Sequence, residues 1–256
     1  MIGKGILKDI LLEAKFYNAN KIIFNKELLP HQSKKISSMT NIKISDRTEL
    51  ILEIFEKNEN QIDNFSRRRG LNRTQRLRNQ LITATLVGYT CAGKSTLFNK
   101  LTKSNVVEST KAFSTLNPTT RKTYLSEDTQ ILLSDTVGFI TDLPKDLISS
   151  FRATLEEIGQ SDVLIHVVDV NDNNYEEKIS SVENTLDIAG LQYSKKIVVF
   201  NKIDLIQIDK KEILKKMFPK QCISSYTSEG LSDLKKYIDQ EIKEIGFYSD
   251  KISVSQ

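Results

Sequence analysis

The stretch LITATLVGYTCAGKS, residues 81–95, decides the fold of this chain of 256 residues. It begins with a short apolar run typical of a buried strand. It continues into GYTCAGKS, which fits the pattern G-x-x-x-x-G-K-[ST], and a segment with helical periodicity follows. A glycine-rich loop between a strand and a helix lets backbone N–H groups surround an anion. The stretch therefore predicts a phosphate-binding loop in which Lys94 pairs with phosphate oxygens and the Ser95 hydroxyl binds Mg²⁺.

Further apolar runs, separated by polar loops and helical segments, predict an α/β fold. They lie at 131–133, 163–168 and 197–200. Short Val/Ile/Leu runs between helices are typical of a parallel sheet with helices on both faces. A strand at 122–125 precedes the next at 130–134 too closely for a crossover helix, so this pair should be an antiparallel edge. With a short segment at 221–223, we predict a mostly parallel six-stranded sheet.

Composition and charge exclude several classes of protein. Hydrophobic residues make up 39% and charged residues 27% of the chain, which is too apolar for a disordered protein. Two cysteines, Cys91 and Cys222, cannot form a disulfide framework or a zinc site. The N-terminal residues carry charges through their apolar stretch, and no run approaches the length of a membrane span. We therefore expect neither a signal peptide nor a membrane span, and a cytoplasmic location.

Two further motifs complete a nucleotide site at the ends of predicted strands. In DTVG, residues 135–138, Asp135 is placed to hold Mg²⁺ and Gly138 to offer its N–H to a γ-phosphate. In NKID, residues 201–204, Asp204 can accept two hydrogen bonds from guanine N1–H and the N2 amine, whereas adenine would leave the carboxylate unpaired. Asn201 would reach guanine N7, and the stem of Lys202 would cover the base. These motifs predict GTP rather than ATP.

Other residues of the site are less sharply defined by the sequence. A second magnesium-binding hydroxyl is expected between the first two motifs, and Thr115, Thr119 and Thr120 all compete for that role. The element Ser224-Ser225-Tyr226 follows a short apolar segment and could offer its backbone to guanine O6. His166 lies within an apolar run and is expected to be a core residue. Cys91 has no paired histidine in the sequence and is not expected to be a catalytic nucleophile.

Phe139 follows DTVG, at a position where some GTPases place a glutamine that orients the attacking water. A phenylalanine cannot hold a water molecule, so intrinsic GTP hydrolysis is expected to be slow unless a partner completes the site. The alternative is a GTP-dependent binding switch with negligible turnover of its own.

The first 57 residues and the segment after them have a different character. Leu7, Ile10, Leu11 and Ala14 share one helical face, a short strand is expected at 21–24, and Asp46 with Glu49 resembles a capping box. Residues 1–80 contain 16 basic and 9 acidic side chains. Six of the nine arginines of the chain lie at 67–78: Arg67, Arg68, Arg69, Arg73, Arg76 and Arg78. Their density favours a contact with nucleic-acid phosphates, and a solvated helix face linking two domains is the alternative.

The sequence resembles the HflX family of translational GTPases. The resemblance rests on GYTCAGKSTLFNKLT (88–102), FSTLNPTTR (113–121), DTVGFITDLPKDLISSFRATLEEI (135–158) and NKIDL (201–205), with SDRTELILEIF (45–55) matching the end of the family's N-terminal domain. It implies GTP hydrolysis coupled to the large ribosomal subunit, in ribosome splitting, rescue or assembly. It selects Thr115 as the magnesium-binding threonine and implies ribosomal RNA as the partner of the arginine segment.

This chain departs from the family pattern in its N-terminal part. The family's domain usually continues into a long helical hairpin and a glycine-rich loop, whereas here Asn64 runs almost directly into Arg67. We therefore expect a truncated N-terminal α/β domain at 1–57, an arginine-rich linker helix at 58–80, a GTPase domain at 81–246 and a loose tail at 247–256. A monomer is expected.

Taken with the resemblance, the motifs give a complete set of expected site residues. Lys94, Thr115 and Gly138 are expected to be catalytic, and Ser95, Thr115 and Asp135 to bind Mg²⁺. The residues expected to contact GTP or GDP are Gly88, Tyr89, Thr90, Cys91, Ala92, Gly93, Lys94, Ser95, Thr96, Phe113, Ser114, Thr115, Leu116, Asn117, Asp135, Thr136, Val137, Gly138, Asn201, Lys202, Ile203, Asp204, Ser224, Ser225 and Tyr226.

Overall fold

A computed structural model of the chain divides into two compact units, Met1–Phe65 and Ser66–Gln256. It describes residues 4–25, 28, 32–33, 36–38, 42–51, 53, 81–104, 119–139, 158–159, 161–191 and 193–253, and for 246–253 the backbone alone. The predicted linker at 58–80, with its arginines, lies outside the described residues.

The first unit contains a helix and a pair of parallel strands. Helix α1 spans Lys4–Phe16, and strands β1 (Lys21–Phe24) and β2 (Lys43–Asp46) pair in parallel. The core of the unit is apolar and includes Leu7 of α1 and Ile44 of β2. Asp46 accepts hydrogen bonds from two backbone N–H groups, those of Glu49 at 2.9 Å and Leu28 at 3.0 Å. The Asp46 half of the predicted capping box is therefore confirmed.

The second unit is built on a five-stranded sheet in the order β4-β5-β3-β6-β7. All neighbours pair in parallel except β4 and β5, which form the predicted antiparallel edge. The strands are β3 (Ile82–Val87), β4 (Thr119–Tyr124), β5 (Gln130–Asp135), β6 (Val163–Asp169) and β7 (Lys195–Asn201). The helices are α2 (Lys94–Thr102), α3 (Tyr175–Ile188), α4 (Ile208–Met217) and α5 (Leu231–Ser253).

Apolar side chains cover both faces of this sheet, as the unbroken apolar strands require. On one face, Phe98 of α2 and Ile238 of α5 pack in the same core as Ile165 of β6. On the other face, Val168 and Leu214 belong to a second core. His166 is 1% exposed, so its predicted place in the core is confirmed. The carboxyl ends of the four parallel strands meet at one edge, where α/β proteins bind their ligands.

The structure differs from the sequence predictions in two elements. The expected sixth strand is an isolated bridge between Cys222 and Phe200, held by two backbone hydrogen bonds of 2.8 Å, and is too short to count as a strand. Helix α5 does not end at Gly246 but continues to Ser253, where a loose tail was expected. Within the part of the chain that the structure describes, none of the helices combines the length and apolar character needed to cross a membrane.

Candidate nucleotide-binding site

The phosphate loop connects β3 to α2 and depends on glycines at both ends. Gly88 has a φ of +148°, and a Cβ there would lie 2.2 Å from the Val167 carbonyl oxygen. Gly93 has a φ of +91°, and a Cβ there would lie 2.3 Å from Nδ2 of Asn201. Side chains are excluded at both positions, so the loop can pack tightly between neighbouring strands while its N–H groups and the N-terminus of α2 remain available to an anion.

Lys94 is buried inside this loop. Its Nζ donates hydrogen bonds to the carbonyl oxygens of Gly88 at 3.2 Å and Tyr89 at 3.0 Å. Burial lowers the pKa of Lys94 from 10.5 to about 8, and the nearby Asp135 and Cys91 act in the opposite direction. A phosphate oxygen would replace neutral carbonyls with a full negative charge. The arrangement therefore suits a lysine that strengthens its interactions when an anion enters.

Oxygen ligands for a divalent cation meet at the start of α2. The Ser95 hydroxyl donates a 2.7 Å hydrogen bond to Oδ2 of Asp135, which is fully buried at the end of β5. A hydroxyl and a carboxylate beside a phosphate site are the ligands that Mg²⁺ prefers in nucleotide sites. This pair therefore fits the predicted metal. Among the described residues, no group of three or more His, Cys, Asp or Glu side chains forms an alternative metal site.

The DTVG segment is held against the phosphate loop by backbone hydrogen bonds. The N–H of Phe139, the residue after DTVG, donates to the carbonyl oxygen of Gly88 at 3.0 Å, and Thr90 N–H donates to the carbonyl oxygen of Phe139 at 2.8 Å. A Cβ at Gly138 would lie 2.8 Å from the Cα of Thr90 and 3.0 Å from Nζ of Lys94. The absence of a side chain at Gly138 therefore allows this close approach. The Phe139 side chain is buried, at 7% exposure.

The NKID segment is bonded to two other parts of the site. Nδ2 of Asn201 donates to the Ala92 carbonyl at 2.8 Å, and its Oδ1 accepts from the N–H and hydroxyl of Ser225, both at 2.9 Å. Lys202 has a φ of +66°, and its Nζ lies 2.6 Å from Oδ2 of Asp169. Asp204 is exposed, as a carboxylate that recognises a base must be. Asn201 thus braces the loop in addition to its predicted role at the base.

The third base element forms a tight turn. Ser224 N–H donates to the Glu229 carbonyl at 3.0 Å, and the Ser224 hydroxyl accepts from Thr227 N–H at 3.0 Å. Ser224 and Ser225 are buried, whereas Tyr226 is 81% exposed. The backbone of this turn is therefore fixed beside Asn201, where a guanine carbonyl could reach it.

The structure brings three of the predicted motifs together and leaves one outside. DTVG and NKID are each hydrogen-bonded directly to the phosphate loop, through Asp135 and Asn201 respectively. The predicted residues Phe113, Ser114, Thr115, Leu116 and Asn117 lie outside the described residues, while Thr119 and Thr120 lie in β4. Sequence reasoning did not identify Asp169 as the partner of Lys202, although an aspartate at the carboxyl end of a buried strand is a usable signal.

Comparisons with known proteins give matches in both units of the chain. Residues 83–202 match the family model described as 50S ribosome-binding GTPase, and residues 1–56 match the model described as GTP-binding GTPase N-terminal. A GTPase HflX from Caldanaerobacter subterraneus is 32% identical over 301 residues, covering 94% of this chain and 69% of that protein. A GTPase HflX from Magnetococcus marinus is 42% identical over 188 residues, covering 72% of this chain and 43% of that protein.

A solved structure shares the fold. A GTP-binding protein from Sulfolobus solfataricus in complex with GDP superposes with a TM-score of 0.53 at 24% identity, covering 95% of this chain and 86% of that one. The Caldanaerobacter subterraneus relative covers 94% of this chain, so its match extends over both units and includes all three motifs that meet at the phosphate loop. The chain belongs to the HflX family of GTPases.

Proposed function

We propose that this chain binds GTP with Mg²⁺ at the phosphate loop and hydrolyses it to GDP and phosphate. The observation that carries the proposal is the direct bonding of the loop to both partner motifs, through Ser95 to Asp135 of DTVG and through Ala92 to Asn201 of NKID. The three motifs therefore form one preassembled site for a nucleoside triphosphate.

The residues of the loop would act on the phosphates. Lys94 would leave its two carbonyl partners and pair with β- and γ-phosphate oxygens, and the N–H of Gly138 would donate to the γ-phosphate. Ser95, Asp135 and Thr115 would hold Mg²⁺, which when bound neutralises charge on the β- and γ-phosphates. These groups stabilise negative charge without supplying a base, which is consistent with slow hydrolysis by the chain alone.

Guanine would be recognised by Asp204. Replacing Asp204 by Asn exchanges an acceptor for a donor, so preference should move from guanine to xanthine nucleotides. Hydrogen bonds to a charged group contribute about 1.5–3 kcal/mol each, so GDP affinity should fall at least about tenfold. Binding of fluorescent GDP and XDP by Asp204→Asn measures this exchange, and Asp209→Asn, an exposed acid on α4, is the matched control. An Asp204→Asn chain that binds GDP as tightly as the parent would contradict the assignment.

We further propose that the chain associates with the large ribosomal subunit in the cytoplasm, in ribosome splitting, rescue or assembly. The names of the matched family model and relatives support this partner. The arginines at 67–78 supply cations suited to RNA phosphates. Each neutralised phosphate should contribute roughly −0.7 to −0.9 to the slope of log affinity against log salt concentration. Replacing Arg67, Arg68 and Arg69 with alanine should flatten this slope in ribosome co-sedimentation and leave GDP affinity unchanged.

A GTP-dependent switch with negligible turnover is the second candidate. The buried Phe139 favours it, because that side chain offers no group to orient a water molecule. Single-turnover GTP cleavage, measured with and without large ribosomal subunits, separates the enzyme from the switch. A rise of roughly 10³–10⁵-fold with subunits, the range of GTPases completed in trans, supports the enzyme. Cleavage that stays negligible with subunits supports the switch.

A further inference from the structure

Asp169 is bonded to the NKID segment, although it belongs to none of the predicted motifs. It is the last residue of strand β6, and the pairing of β6 with β7 places it beside Asn201. The ammonium of Lys202 donates a 2.6 Å hydrogen bond to Oδ2 of Asp169 and forms an ion pair with it. The function proposed above gives Asp169 no role.

The carboxylate of Asp169 is itself held in place. Its Oδ1 accepts a 3.0 Å hydrogen bond from the N–H of Asn171, the local turn that aspartate side chains commonly form. With Oδ1 used in this way, the carboxylate presents Oδ2 to the Lys202 ammonium. Both side chains of the ion pair are partly shielded from water, with exposures of 23% for Asp169 and 29% for Lys202. Solvent and salt therefore screen this pair less than a fully exposed one.

The backbone around Lys202 is fixed by neighbouring segments. The Asn201 carbonyl accepts a hydrogen bond from Val170 N–H at 3.1 Å, and the Lys202 carbonyl accepts one from Leu205 N–H at 3.0 Å. The φ of +66° at Lys202 is a conformation that residues with a Cβ rarely adopt, so it depends on such contacts. The variable part of this residue is its flexible four-carbon stem, and Asp169 binds the end of that stem.

We propose that Asp169 is a positioning residue for the guanine base, because it holds the Lys202 side chain in one conformation before the nucleotide arrives. The stem of Lys202 is then ready as an apolar surface for one face of the base. Without the carboxylate, the stem must be ordered when the nucleotide binds, and fixing a lysine side chain can cost up to roughly tenfold in affinity. This inference rests on the proposed function, because it concerns the base subsite of the same site.

Net charge acts on nucleotide binding in the opposite direction. A nucleotide carries its negative charges on the phosphates, so the removal of a nearby carboxylate should by itself strengthen binding. A loss of GDP affinity after the removal of the Asp169 charge would therefore not arise from net charge. It would arise from the side chain that Asp169 holds.

Asp172 provides a matched control in the same loop. Its Oδ1 accepts a 2.9 Å hydrogen bond from Asn174 N–H, and its Oδ2 forms an ion pair with Lys178, so it has the same two kinds of partner as Asp169. Lys178 belongs to α3 and not to NKID. Asp172→Asn therefore removes the same charge and the same kind of ion pair, but leaves the Asp169 carboxylate on Lys202.

The test measures the affinity of the full chain for GDP and for pyrophosphate, which lacks the base, by competition with fluorescent GDP. Asp169→Asn keeps an amide oxygen that can accept from Asn171 N–H, so the local turn can be retained. We expect this variant to bind GDP roughly three- to tenfold more weakly and pyrophosphate no more weakly than the parent. The ratio of GDP affinity to pyrophosphate affinity should therefore fall for Asp169→Asn and keep its parental value for Asp172→Asn.

A second pair of variants tests whether Asp169 acts through Lys202. Lys202→Met keeps an unbranched apolar stem without the ammonium, so adding Asp169→Asn to it should not lower the affinity ratio further. A parental ratio in Asp169→Asn, equal losses for GDP and pyrophosphate, or the full additional loss in the Lys202→Met background would overturn the proposal. Failure of the parent chain to bind fluorescent GDP would instead contradict the proposed function.

Discussion

The side-chain amide of Asn201 is hydrogen-bonded to the carbonyl oxygen of Ala92, 109 residues earlier in the chain, at 2.8 Å. The same side chain accepts two hydrogen bonds from Ser225. One buried residue therefore connects the phosphate loop, the NKID segment and the turn at 224–229, which follows α4. Because its donor and acceptor are both used by the protein, Asn201 fixes the relative positions of the phosphate and base subsites before a nucleotide arrives.

Replacing Asn201 with alanine should weaken nucleotide binding and the fold together. The change leaves Ala92 O and Ser225 N–H without their side-chain partner in a buried region, at a cost of about 1–3 kcal/mol for each unsatisfied group. We expect a lower melting temperature and a loss of GDP affinity of at least about tenfold. Asn173→Ala, on an exposed turn, is the matched control and should change neither. A variant with normal stability and weaker binding would restrict Asn201 to base contact.

A methyl group at Gly138 should impair hydrolysis more than binding. The added Cβ would collide with the backbone of Thr90 and approach Lys94, so DTVG must move away from the phosphate loop. We expect the rate of GTP cleavage to fall at least tenfold, or about 1.4 kcal/mol, while GDP affinity changes less.

Gly190→Ala is the control for this prediction. Gly190 has a φ of +64°, and a Cβ there would meet nothing within 4 Å. This variant should lose about 1 kcal/mol of stability through backbone strain and keep its GTPase rate. Equal rates for the parent and Gly138→Ala would show that the close approach of DTVG to the loop is not needed for chemistry.

The sequence predicts local elements of this structure better than contacts between distant segments. The strand and loop at 82–95 and the cap at Asp46 follow from short-range patterns, and the structure confirms both. The bond between Asn201 and Ala92 and the ion pair of Lys202 with Asp169 depend on how the strands align. The position of Asp169 at the end of a buried strand indicates that it lies near the site, but not which residue it pairs with. A loose tail was expected after Gly246, whereas α5 continues through this glycine although glycine costs about 1 kcal/mol within a helix. Leu234, Ile238 and Ile242 anchor the first part of α5 by burial, and the residues beyond them extend a helix that is already nucleated.

Nucleotide affinity should fall as the pH rises above about 8. The pKa of Lys94 in the nucleotide-free chain is about 8, and a bound phosphate should raise it because opposite charges favour the protonated form. Between these two values the chain takes up a proton on binding, so affinity decreases by up to about tenfold for each pH unit. Below a pH of about 7, Lys94 is already protonated and no uptake is expected.

Calorimetry of GDP binding in two buffers with different ionisation enthalpies measures this proton uptake directly. At a pH of about 8.5 the parent should take up a fraction of a proton. Lys94→Arg retains its charge at this pH, so its proton uptake should disappear. Lys100→Ala, on the same helix, should behave like the parent. Equal uptake by the parent and Lys94→Arg would assign the proton to another group.

Phe139→Gln should destabilise the chain and not accelerate hydrolysis. The Phe139 side chain is buried, while its backbone N–H and carbonyl are bonded to Gly88 and Thr90. A glutamine amide in this position loses its water contacts without a described partner, which costs about 1–3 kcal/mol. In a chain of this size we expect the melting temperature to fall by roughly 2–4 °C for each kcal/mol. Phe139→Leu, which remains apolar, should lose less stability.

Thermal melts and single-turnover GTP cleavage, measured on the same samples, test the expected loss of stability and the expected absence of faster hydrolysis. A glutamine variant with an unchanged melting temperature and fast, ribosome-independent hydrolysis would mean that the side chain at 139 faces the attacking water and that water placement alone limits the parent.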